Sequence, residues 1–217
     1  MYIKGRMPFQ YLRKGDGGRE KESALSEQRE ARQAGEEDLR DVRCCLSGDG
    51  EGYRRLIERN QGRVSSIMWR FSRDADTHED LVQEVFVEAY EGLSGYQGKA
   101  PFAHWLARIA VRVGYHHWKR EKRERALEVV PLEEWHEALE APEEEMEPSE
   151  AGELLHLLMG QLPPRDRLVL TLRFIEGHSV EKTAELTGWS RSLVKVQTWR
   201  ARNKLRKLFE RERREVD

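Results

Sequence analysis

Cysteine is nearly absent: the 217 residues contain two, and they are adjacent, Cys44 and Cys45. A vicinal pair rarely closes a structural disulfide, and no second pair exists to complete a zinc site. Both are therefore read as inert thiols. The seven histidines fall into no HExxH or comparable ligand spacing. Hydrophobic residues make up only 38% of the chain, against 36% charged. That excludes one large core but suffices for two small helical ones. Apolar runs are short and broken by charge, so no segment approaches the length of a membrane span. The N-terminal stretch MYIKGRMPFQYLRKGDGGREKE lacks the apolar core of a secretory signal. A cytoplasmic protein without membrane insertion or cofactor is expected. Strand signals are missing too, with neither sustained alternation nor Asn-Gly hairpins. What remains is an all-α chain.

A net charge of −2 speaks weakly against a nucleic-acid partner, but the average hides segregation. Residues 71–100 hold seven acids and two bases, and residues 101–125 hold seven bases and two acids. Residues 126–164 hold eleven Glu and no Lys or Arg, whereas residues 191–214 hold ten bases and two acids. Two basic segments, each beside an acidic one, suit two DNA contacts and a protein contact.

Residues 1–35 are polar and aperiodic and read as a disordered N-terminal extension. Helical periodicity begins near Glu36, with Leu39, Val42 and Leu46 on one short segment. A second segment runs from Tyr53, Leu56 and Ile57 through Val64, Ile67, Met68 and Phe71. A third is expected from Thr77, its N-cap, to Leu93. Its inner stripe is Leu81, Val82, Val85, Phe86, Ala89, Tyr90 and Leu93, opposite an acidic face of Asp80, Glu84, Glu88 and Glu91. The Gly- and Pro-containing loop 94–101 separates it from a fourth helix. There Phe102, Trp105, Leu106, Ile109, Ala110 and Val113 form the core stripe. His104, Arg108, Arg112, Tyr115, His116 and Lys119 fall away from it. Residues 128–152, rich in Glu and Pro, read as an acidic linker. Helical pattern resumes at Leu154, breaks at Pro163, and continues through Leu168, Val169, Leu172, Phe174 and Ile175.

Residues 179–206, SVEKTAELTGWSRSLVKVQTWRARNKLR, have the spacing of a helix-turn-helix. Ser179 caps a short helix, Ala184 permits close approach, Gly188 makes the left-handed turn, Ser190 caps a second helix, and Val194 packs back. Arg191, Ser192, Lys195, Trp199, Arg202 and Arg206 project from that second helix. A capped helix N-terminus carrying Arg and Lys suits phosphate oxygens and guanine edges.

Two stretches carry a family resemblance. Residues 80–110, DLVQEVFVEAYEGLSGYQGKAPFAHWLARIA, resemble region 2 of bacterial extracytoplasmic-function (ECF) sigma factors. Residues 162–208, from LPPRDRLVLTLRF to ARNKLRKL, resemble their region 4. The resemblance implies two helical domains, 36–127 and 153–217, that bind core RNA polymerase and promoter DNA. Asp80, Gln83, Glu84 and Glu88 would face the polymerase. Tyr96, Lys99, Phe102, His104, Arg108, Arg112 and Lys119 would serve the −10 element. Arg191, Ser192, Lys195, Trp199, Arg202 and Arg206 would serve the −35 element. An anti-sigma factor is a further partner class the resemblance admits. The chain departs from the family's habit in having Arg112 in place of Asn, and Ser192-Leu193 in place of Gly-Thr. Two other readings compete. A helix-turn-helix regulator independent of polymerase accounts for 179–206 but leaves the acidic helix and the 94–101 loop without a role. An enzyme would need scaffolded carboxylates, and Glu143 to Glu145 sit in the linker instead.

Overall fold

The computed structural model describes residue 33 and residues 35–127 and 148–216, and among them every regular element is a helix. Residues 1–32 and 128–147 lie outside the described residues, and with them the expectations of a disordered extension and of an acidic linker. Helix α1 covers 35–46, α2 Gly50–Met68, α3 Ala75–Glu91 and α4 Phe102–Leu127. Beyond residue 147 come α5 Pro148–Gln161, α6 Pro164–Leu170, α7 Val180–Thr187 and α8 Arg191–Val216. Helix α5 begins inside the stretch read as linker, since Pro148 has the fixed φ of a first helical position.

Helices α2, α3 and α4 pack pairwise around Leu56, Val64, Met68, Leu81, Val85, Leu106 and Val113, all at most 1% exposed. The α3 cap is Asp74, one turn earlier than the expected Thr77: its carboxylate accepts from the Thr77 amide at 2.8 Å. A carboxylate at the N-cap also meets the positive end of the helix dipole. Helix α1 is held by charge as much as by apolar contact. Asp38 and Asp41 are buried, and Arg59 reaches both, while Arg55 pairs with Asp41 at 2.7 Å. Gly52 lets α1 approach α2, for a Cβ there would stand 2.6 Å from the Asp41 carbonyl oxygen.

The C-terminal helices enclose Met159, Leu162, Val169, Leu170, Val194 and Ala201. A buried Asp166 on α6 clamps α8, accepting from Gln197 Nε2 and from Lys204 Nζ, each at 2.5 Å. Several apolar residues that carry the helical pattern are exposed, among them Leu46, Tyr90, Phe174 and Ile175. Leu46 ends α1, and Tyr90 turns outward to meet the Tyr53 ring edge-on at 4.9 Å. Phe174 and Ile175 fall in a π-helical turn, Thr171–Ile175, whose wider winding rotates them off the α6 stripe. The two helical domains do not stand apart. Leu168, Leu172 and Leu186 of the second enter the same buried cluster as Ile109, Ala110 and Val111 of α4.

Candidate nucleic-acid and polymerase interfaces

On α3, Asp80 and Gln83 are exposed, and Glu84 and Glu88 are half-buried. The two half-buried acids turn toward α4. Arg112 donates to Glu88 Oε2 at 2.6 Å, and Arg120 stands 3.8 Å from Glu84. Val87 lies on the same outward face and is 57% exposed, an apolar contact that charge patterning alone did not single out.

The 96–101 loop is braced rather than free. The Tyr96 hydroxyl donates to the Ala100 carbonyl at 2.7 Å, and its ring packs against Phe102 and Trp105 at 5.5 and 5.3 Å. Burial, and secondarily the nearby Asp38 charge, raise the Tyr96 phenol above its usual pKa. Gly98 has φ +67°, and a Cβ there would meet the Leu39 side chain at 2.8 Å. The loop thus rests on α1, a support no sequence motif announced. Lys99 projects from it, exposed.

Phe102 is a correction. It is 1% exposed, because the first turn of α4 sinks into the core to anchor the helix. It positions Tyr96 and Trp105 and offers no surface to DNA. His104 is half-buried; burial, with the positive charges of Lys182 and Arg63 adding to it against Glu185, holds its pKa below the ordinary imidazole value. Arg108, Arg112 and Lys119 are exposed. Lys119 leans over the Tyr115 ring at 5.8 Å. Arg108 and Arg112 line a cleft of about 430 Å³, with Gly188 and Trp189 of the helix-turn-helix on its other side.

The helix-turn-helix forms as its spacing requires. Ser179 Oγ accepts from the Lys182 amide at 3.0 Å, Gly188 has φ 72°, and Ser190 Oγ accepts from the Leu193 amide at 3.2 Å. Val194 is fully buried. Arg191, Ser192, Lys195, Trp199, Arg202 and Arg206 all lie exposed along one side of α8. Trp199, 67% exposed, also borders an apolar groove against Leu154 and Leu155 of α5, so its surface is shared between two faces. Sequence reasoning missed Trp189, which is half-buried and covered by Arg165, whose guanidinium lies 4.7 Å from the ring. Its position between the turn glycine and the capping serine was the available signal.

The described residues contain no group of three or more His, Cys, Asp or Glu able to hold a metal ion. No described helix is long and apolar enough to cross a membrane.

Comparison with known proteins matches residues 56–124 to Sigma-70 region 2 and residues 152–205 to Sigma-70, region 4. The RNA polymerase sigma-H factor of Pseudomonas aeruginosa is 30% identical over 183 residues, spanning 81% of this chain and 95% of that protein. The ECF RNA polymerase sigma-E factor of Escherichia coli K12 is 28% identical over 176 residues, spanning 76% and 92%. Among solved structures, CnrH in complex with the cytosolic domain of CnrY has a TM-score of 0.49 at 22% identity, covering 80% of this chain and 97% of that one. Bartonella quintana RpoE, solved with the anti-sigma factor NepR, has a TM-score of 0.48 at 20% identity, covering 73% and 96%. With both sigma regions present, in order, and a full-length relative at this identity, the chain belongs to the ECF group of RNA polymerase sigma factors.

Proposed function

We propose that this chain binds core RNA polymerase in the cytoplasm and directs it to promoters, melting the −10 element and starting transcription without catalysing a reaction itself. The first domain, residues 36–127, takes the polymerase on the outward face of α3, through Asp80, Gln83 and Val87 with the rims of Glu84 and Glu88. It takes the −10 element on Tyr96, Lys99 and the exposed bases of α4. The second domain, from residue 148 onward, reads the −35 element with α8.

One observation carries most of this reading. Two exposed basic helix faces, on α4 and α8, belong to the two helical domains of one chain, and an acidic, partly apolar face stands beside the first. Basic helices supply phosphate and base contacts. An acidic face serves a protein partner and repels DNA.

Mixing the purified chain with core polymerase and a promoter fragment tests the proposal. A stable complex and permanganate-reactive thymines near −10 are expected. Duplex binding without polymerase association would leave a polymerase-independent helix-turn-helix regulator instead.

A further inference from the structure

The cleft between α4 and the turn of the helix-turn-helix is lined by chemistry that promoter recognition does not account for. Trp105 and Tyr115 of α4 stand on one side and Trp189 on the other, each half-buried. Arg108, Arg112 and His116 lie exposed around it. None of its lining residues is Asp or Glu. Among the described residues Arg108 has no ion-pair partner, and Arg112 pairs with the exposed carboxylate of Glu88, which lies outside the cleft. Positive charge gathered in a concave, partly apolar site without a carboxylate leaves a potential that an anion neutralises.

The same residues select the kind of anion. Guanidinium groups take phosphate oxygens through paired N–H donors. Arg108 and Arg112 are four residues apart on one helix, so their side chains leave α4 about 6 Å from one another. Each can therefore take its own phosphate group of a diphosphate. Aromatic side chains offer flat faces for base stacking, and the larger ring system of a purine stacks most strongly. Arg165 lies over the Trp189 ring at 4.7 Å and steadies it. The volume of about 430 Å³ falls in the ordinary range of small-ligand sites, about 300–1,000 Å³.

We propose that this cleft binds a purine nucleoside diphosphate, with the base among Trp105, Tyr115 and Trp189 and the phosphates on Arg108 and Arg112. The α7–α8 turn walls the cleft opposite α4, which suits a single nucleotide better than a continuous strand. Bound there, the nucleotide occupies two arginines proposed for the −10 element, so nucleotide and strand exclude one another. That consequence rests on the −10 assignment; the site itself does not.

The test titrates the full chain with GDP, ADP, guanosine and pyrophosphate, followed by tryptophan fluorescence and calorimetry. One-to-one binding of GDP or ADP, about tenfold or more tighter than guanosine or pyrophosphate, is expected, because each half alone forfeits the contacts of the other. Arg108→Gln, at an exposed position, should weaken GDP by about tenfold, and Arg108→Lys by less. Trp189→Leu should weaken GDP by a similar factor and leave pyrophosphate unchanged, while Trp189→Phe keeps most of the affinity. If Trp189→Leu fails to fold, the Arg108 pair and Trp189→Phe still decide. Pyrophosphate bound as tightly as GDP would reduce the cleft to a general anion patch and overturn the proposal. GDP binding unmoved by Arg108→Gln, or absent at about 1 mM GDP, would do the same. A −10 single strand that lost as much affinity as GDP on Trp189→Leu would assign the cleft to DNA instead.

Discussion

Arg112 of α4 holds Glu88 of α3: its Nη2 and Nε both reach the same carboxylate oxygen, at 2.6 and 3.2 Å. The first residue is assigned to DNA and the second to the polymerase, so the two assignments are coupled through one exposed ion pair. Pairs this exposed contribute on the order of 0–1 kcal/mol, so either partner is easily released.

Opposite effects on the two ligands follow. Glu88→Gln should leave a freer Arg112 and tighten binding of −10 single strands by a few fold at low salt, while weakening core polymerase binding. Arg112→Ala should weaken the single strand and leave polymerase affinity unchanged or higher. Anisotropy with a labelled −10 strand, set beside polymerase pull-down, reads both. Parallel losses in both assays for both variants would show that the pair only stabilises the domain.

Two helical glycines have opposite expectations. Gly114 on α4 faces Phe71, and a Cβ there would lie 2.3 Å from the ring. Phe71 cannot retreat, since its other side meets Trp118 at 4.6 Å between ring centres. Gly114→Ala should therefore lower stability by about 1–3 kcal/mol, more than the gain in helix propensity returns. Gly62 on α2 is exposed, and a methyl group there would find no neighbour within 4 Å, so Gly62→Ala should add about 0.5–1 kcal/mol. Thermal denaturation of the full chain should move in opposite directions for the two.

Much of this was legible in the sequence, for a physical reason. Amphipathic spacing placed α2 to α4, and the Ser179, Gly188 and Ser190 pattern placed the helix-turn-helix, because these depend on local geometry. The reading faltered where a distant element decided the outcome. Phe102 looks like a residue beside a binding loop, and only its burial among α2 to α4 shows it to be core. Asp38, Asp41 and Asp166 are polar residues placed in the interior by arginine, lysine and glutamine partners from 14 to 38 positions away. Phe174 and Ile175 leave the stripe because the helix widens, which no periodicity of 3.6 foresees. The contact between the two helical domains is the extreme case: Ile109, Ala110 and Val111 of α4 share a buried cluster with Leu168, Leu172 and Leu186, a pairing that periodicity within either domain does not show.

Acidification should loosen the fold. Burial lowers the pKa of His117, with Arg120 and Arg167 adding to the effect against Glu121 and Glu84. Burial likewise lowers that of His156, with Arg73 and Arg167 against Glu121, and that of His104. The ordinary imidazole value is about 6.5. Each group's folded pKa is below that, so the unfolded chain binds more protons between the two values, and stability rises with pH there. The folded state keeps its full stability above about pH 6.5 and loses it as pH falls through the depressed values. Melting temperatures taken from about pH 7 to about pH 5.5 should fall, and the His117→Gln, His156→Gln double variant should flatten the slope. An unchanged slope would place both imidazoles in solvent.

The reading helix separates base contact from phosphate contact along its own length. Arg191, Ser192 and Lys195 occupy the first turns of α8, which Ser190 caps by accepting from the Leu193 amide. Among the described residues Arg191 has a loose neighbour, Glu181 at 3.9 Å, which DNA displaces at little cost. Arg202 lies eleven residues on, about 16 Å along the axis, farther than the roughly 12 Å width of a major groove. Its guanidinium rests 5.7 Å from the centre of the exposed Phe174 ring, which steadies it for a backbone contact. Arg191→Ala should cost about 1–3 kcal/mol on the preferred −35 sequence and relax choice at one position. Arg202→Ala should weaken all sequences alike and reduce the salt slope by about one unit. Binding to a panel of −35 variants at several salt concentrations distinguishes them. Uniform weakening by both substitutions would remove Arg191 from the bases and leave the whole of α8 a phosphate-binding surface.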